Sequence, residues 1–108
     1  MTFLDETKEI LKLHGRIPGD VKWCGAVGYG YFTWQDFAKL SRKDYHRGFG
    51  GAEVAGNLIV VGDDFWLERH EYDGSEWWEF KSMPVKPGNY RVPEELIVSE
   101  RYTRLVLE

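Results

Sequence analysis

The chain reads as an α+β fold: a small single domain in which an antiparallel β-meander of about four to five strands packs with two α-helices. Three observations lead there. Capped segments with apolar residues at helical spacing fall in the first half of the chain. From residue 57 onward, apolar runs and period-two alternation are separated by Gly- and Asp-containing turns. The length, 108 residues, is that of one domain able to bury its own core.

Taken in order, residues 3–14 predict the first helix. Thr2 is placed to cap it, Asp5 stands in a box-like position and Gly15 suits its stop. Phe3 and Leu4 recur seven residues on as Ile10 and Leu11, which makes one apolar stripe. "IPGD" (17–20) is a turn, "VKWCGAV" (21–27) a short strand and "GYGYF" (28–32) a second one. Thr33 and Asp36 mark a second helix start. Over 34–46 the spacing puts Trp34, Phe37, Ser41 and Tyr45 on one face, and Lys39, Arg42, Lys43, His46 and Arg47 on the other. "GFGGAEVAG" (48–56) is a glycine-rich link with a short helical turn expected at 51–55. The meander follows: "NLIVV" (57–61), the turn "GDD", "FWLERHEY" (65–72), the turn "DGS" and "WWEFKSM" (77–83), ended by Pro84 and Pro87. "RYTRLVL" (101–107) alternates like a final strand, so 1–92 is the core of the domain and 93–108 a C-terminal strand or extension.

Composition narrows the class. A lone cysteine, Cys24, cannot form an internal disulfide, which fits a reducing compartment. No apolar run is long enough to span a bilayer, and "MTFLDETKEI" lacks the regions of a signal peptide, so a cytoplasmic protein with no membrane partner is expected. The net charge of −4 is unevenly spread. Residues 1–56 carry eight basic and seven acidic residues, whereas 57–108 carry six basic and eleven acidic. Within 63–79 seven acids stand against Arg69 alone, which disfavours nucleic acid at that surface.

The acidic–aromatic hairpin is the main candidate site. Strand periodicity puts Phe65, Leu67, Arg69 and Glu71 on one face and Trp66, Glu68, His70 and Tyr72 on the other. With Asp73-Gly74 as a two-residue turn, Leu67 meets Phe80 and His70 meets Trp77. With a four-residue loop, Tyr72 meets Trp77 and His70 meets Glu79. Both registers gather Trp66, Glu68, His70, Tyr72, Trp77 and Glu79 on one surface. Two readings stay open: the first helix or the C-terminal segment covers those rings, or they form an exposed surface for a partner protein, a basic one by charge.

Weaker constellations point elsewhere. "RGFGGAEVA" beside Arg47, together with the basic group Lys39, Arg42, Lys43, His46 and Arg47, suits a small anionic ligand such as a nucleotide; solvated charge and a tight glycine link explain the same residues. His14, His46 and His70 show no metal-ligand spacing, and Glu68/His70/Glu79 is the one conceivable cluster, so no metal or cofactor is expected. Cys24 between Trp23 and Gly25 reads as a buried small residue rather than a nucleophile. No motif argues for an enzyme.

The blocks "DVKW" (20–23), "TWQDF" (33–37), "GFGGAEVAGNLIVVGDDFWLERHEYDGSEWWEF" (48–80) and "PVKPGN" (84–89) give the chain a resemblance. It resembles small proteins encoded by phages and prophages of Gram-positive bacteria, a family without assigned catalytic residues; "EYDGSEWWEF" is its specific part. The resemblance implies a phage-derived accessory protein acting in a host bacterial cytoplasm. The expected function is therefore non-enzymatic: binding, and modulating or inhibiting, a host factor, with anti-defence as one setting. The alternatives are a small-ligand or nucleotide-binding module, and an assembly protein that homo-oligomerises through its C-terminal strand.

Overall fold

A computed structural model describes residues 1–45 and 51–97. Its elements are α1 (Phe3–Leu13), a 3-10 turn (Pro18–Asp20), β1 (Val21–Ala26), β2 (Gly30–Phe32), α2 (Trp34–Leu40), β3 (Ile59–Gly62), β4 (Phe65–Tyr72) and β5 (Ser75–Ser82). The strands form one antiparallel five-stranded sheet in the order β2-β1-β3-β4-β5. With two helices this is the α+β class the sequence predicts. The strand expected at 101–107, and His46 and Arg47 of the basic group, lie outside the described residues.

Helix α1 begins and ends as its sequence dictates. The Thr2 hydroxyl accepts from the Asp5 N–H, and the Asp5 carboxylate accepts from the Thr2 N–H. At the other end Gly15 takes φ of 71°. The Arg16 N–H reaches the Leu11 carbonyl and the Gly15 N–H that of Lys12, closing a Schellman motif.

Helix α2 is shorter than expected. It stops at Leu40 rather than continuing to residue 46, because the backbone beyond it serves α1. The Phe3 and Leu4 N–H groups, two of the orphan donors at the start of α1, bond to the carbonyls of Lys43 and Ser41 at 2.9 Å each. Ser41 also turns its hydroxyl onto the Phe37 carbonyl at 2.7 Å. The helical turn expected at 51–55 is likewise absent. There the Glu53 and Val54 N–H groups donate to the Glu76 carboxylate at 2.6 and 3.1 Å.

The Asp73-Gly74 turn is the two-residue form. Asp73 (φ 52°) and Gly74 (φ 85°) both take positive φ, and Tyr72 pairs with Ser75. Of the two registers open to the sequence, this one pairs Leu67 with Phe80 and His70 with Trp77.

Pairing partners across the sheet define its inner face as the row Phe32, Cys24, Val60, Leu67, Phe80. Both helices cover that face. Leu11 and Phe37 join Cys24, Val60, Phe65, Leu67 and Trp78 in one core, with Phe3 stacked on Trp78 at 5.4 Å between centroids. Thr7, fully buried, accepts the Trp78 indole N–H at 2.8 Å.

The core also holds an ion cluster. Arg69, 2% exposed in its side chain, lies over the rings of Trp78 (4.8 Å) and Phe3 (5.0 Å). It donates to Glu76 at 3.0 Å and to the Tyr45 hydroxyl at 3.2 Å, and pairs with Glu6 at 3.6 Å. The Tyr45 hydroxyl in turn donates to Glu6. Burial first, and the Glu6 hydrogen bond second, push the Tyr45 phenol up to about 12.

Candidate functional site: the open face of the sheet

Alternation sends every second strand residue away from the helices. Two rows define this outer surface. One is Trp23, Val61, Trp66, Lys81; the other is Tyr31, Gly25, Ile59, Glu68, Glu79. The His70–Trp77 and Tyr72–Ser75 pairs extend it to the hairpin tip. Both helices lie on the opposite side, so among the described residues this face is open, and α1 does not cover it. Trp66, His70 and Trp77 are half-buried by their neighbours, and Tyr72 is 76% exposed.

All six residues of the expected hairpin surface meet here. The Trp66 indole N–H donates to one Glu68 oxygen at 2.7 Å, and His70 Nε2 is hydrogen-bonded to the other at 2.8 Å. The Trp77 indole N–H donates to Glu79 at 3.3 Å. The His70 and Trp77 rings lie 6.4 Å apart, tilted by 32°. The Trp66 hydrogen bond, followed by that from His70, holds the Glu68 carboxyl below its ordinary 4.5. The aromatic rings thus orient the acids.

Glu68 stands directly opposite Glu79. Like charges directly opposed across two strands are destabilising. Lys81 and His70 flank them on the same face, and the charged form of Glu68 is favoured nonetheless. Chemically, the pair is a two-carboxylate seat for a cation, walled by indoles whose faces also attract cations.

The face is broader than the hairpin. Trp23, Tyr31, Ile59 and Val61 also belong to it, and Trp23 and Tyr31 border a hollow of about 540 Å³ with Lys22, Ala26, Gly28 and Gly30. The signal for these was present in the strand parity: Trp23 alternates with Cys24, and Ile59 and Val61 with Val60.

Of the basic group, Lys39 lies on α2 and Arg42 and Lys43 follow the end of the helix, all three exposed. Cys24 is fully buried, and burial pushes its thiol up to about 12, so it stays protonated at neutral pH. Among the described residues no three His, Cys, Asp or Glu side chains are grouped to hold a metal ion, and no helix is long and apolar enough to cross a membrane.

Fold and site together define a small α+β domain with a one-sided sheet. Comparison with protein-family models, with curated proteins and with solved structures returned no match.

Proposed function

We propose that the chain is a non-enzymatic binding domain that docks a basic segment of a partner protein on the open face of its sheet. The observation that carries this reading is the opposition of Glu68 and Glu79, each held by an indole N–H, on a surface that also presents Trp23, Trp66 and Trp77. Aromatic rings grouped among charged side chains on an open sheet face suit an interaction surface. Aromatic rings supply its binding area, and paired carboxylates select a cation. The resemblance of residues 48–80 to phage-encoded proteins makes a host protein the partner in this reading, with modulation or inhibition of that factor as the outcome.

The test is a titration with a ten-residue Lys/Arg-rich peptide followed by tryptophan fluorescence, beside an Asp/Glu-rich peptide of equal length. The basic peptide is expected to bind and the acidic one not to. Glu68→Gln/Glu79→Gln should weaken binding about tenfold or more, since each lost charge-assisted hydrogen bond is worth roughly 1.5–3 kcal/mol. Equal affinity for both peptides, or an unchanged double variant, sinks the reading.

A further inference from the structure

β5 is the last strand of the sheet, and its register states which of its backbone groups have no partner within the sheet. In a two-residue hairpin the pair flanking the turn exchanges hydrogen bonds, and every second pair after it does the same. Here those pairs are Tyr72–Ser75, His70–Trp77, Glu68–Glu79 and Trp66–Lys81. The Met83 N–H bonded to the Asp64 carbonyl at 2.8 Å continues the series. The N–H and C=O groups of Trp78, Phe80 and Ser82 therefore point outward, along an edge that carries no further strand among the described residues.

Of the usual protections that edge has charge, in Glu76, Glu79 and Lys81, but not shortness, proline or a bulge. It is eight residues long, with neither proline nor bulge, whereas the opposite edge strand β2 has three residues. A groove of about 730 Å³ runs beside it, with Glu9, Ile10 and Leu13 of α1 on one wall and Trp78 on the other.

We propose that the occupant is β5 of a second copy, paired antiparallel about a two-fold axis at Phe80. Only even-numbered residues of β5 point outward, so a two-fold pairing sets even against even and odd against odd. Centred on Phe80, Glu79 faces Lys81 of the second copy and Lys81 faces its Glu79, which makes two ion pairs. Trp77 faces Met83 of the second copy, a favourable sulfur–aromatic pair. Trp78 faces Ser82, and Pro84, which has no N–H, meets Glu76 and ends the ladder. Moving the axis one residue either way opposes Glu79 to Glu79 or Lys81 to Lys81. Centring on Trp78 sets Lys81 against Ser75 and forms no ion pair. Charge complementarity thus selects one register. The proposal concerns the edge; it shares Glu79 with the peptide-binding reading, whereas Glu68 belongs to that reading alone, so Glu68→Gln should weaken peptide binding and leave the dimer intact.

Sedimentation equilibrium of the full chain tests it. Wild type is expected to dimerise. Lys81→Glu and Glu79→Lys each set like charges across both pairs, and each should raise the dimer dissociation constant by about tenfold or more. The double variant Glu79→Lys/Lys81→Glu restores opposite charges and should regain the dimer. Mixing the two single variants should yield a heterodimer, because one chain then presents two acids and the other two lysines. In wild type, hydrogen exchange at the Trp78, Phe80 and Ser82 amides should slow as protein concentration rises; this readout needs no variant to fold. A wild type that stays monomeric overturns the proposal. So does a dimer indifferent to both single variants, a double variant without recovery, or edge amides whose protection ignores concentration.

Discussion

At the scale of single residues the most consequential side chain is Arg69. Alternation along β4 puts it on the core face with Phe65 and Leu67, yet it stands between Glu68 and His70 in an acid-rich stretch, and an arginine in such a stretch normally faces water. What makes it internal are Glu6, Tyr45 and the ring of Phe3, all remote in sequence, together with Glu76 across the hairpin. Parity was legible in the sequence, but this convergence of distant partners was not. Removing one member of a buried ion cluster leaves the rest uncompensated, at a cost of roughly 3–5 kcal/mol. Arg69→Met should therefore destabilise the fold by about that much in urea unfolding, and Arg69→Met/Glu76→Gln should recover part of the loss, because the Gln carbonyl can still accept from Glu53 or Val54. A loss below about 1 kcal/mol for the single variant would place Arg69 among ordinary surface charges.

At the scale of elements, local chemistry fixed those whose ends are capped by their own neighbours. Thr2 with Asp5, Thr33 with Asp36 and the Asp73-Gly74 turn all act within four residues; the two caps were readable from the sequence, and the turn was readable as a turn though not in its two-residue form. The end of α2 was not, because the carbonyls of Ser41 and Lys43 are claimed by the start of α1, a decision made by tertiary structure. The β3–β4 connection shows the same dependence. Gly62 closes β3 beneath the Phe65 ring, and a Cβ there would lie 2.1 Å from a ring carbon. Phe65 is 2% exposed and stacked on Phe80, so it has little freedom to withdraw. Gly62→Ala should cost about 1–3 kcal/mol through overpacking. A lower urea midpoint with an unchanged slope would show it, and an unmoved midpoint would mean the ring gives way.

At the scale of the whole molecule, charge and architecture coincide. Residues 57–108 hold eleven of the eighteen acids, and β3, β4 and β5, all within that span, build most of the open face. The helices screen the other side, so an approaching basic segment meets an asymmetric field. The sequence announced the acid excess and the hairpin's share of the surface; parity set Trp23 apart from Cys24 but did not join it to the hairpin, because β1, with β2 paired to it, enters the sheet only through long-range pairing with β3. In the proposed binding, two kinds of interaction act on different rates. Dispersed acids speed encounter over distances that salt screens, the Debye length falling from ~10 Å at 0.1 M to ~3 Å at 1 M. Glu68 and Glu79, oriented by Trp66, His70 and Trp77, act at contact and slow departure. Stopped-flow binding of the basic peptide should therefore show an association rate that falls steeply from low to high salt, with a smaller change in dissociation. Glu68→Gln/Glu79→Gln should chiefly speed dissociation and retain most of the salt sensitivity of association, since nine acids of the 57–108 span remain. An association rate flat across salt, or a double variant that abolishes its salt dependence while leaving dissociation unchanged, contradicts this division between long-range steering and the seat formed by the two carboxylates.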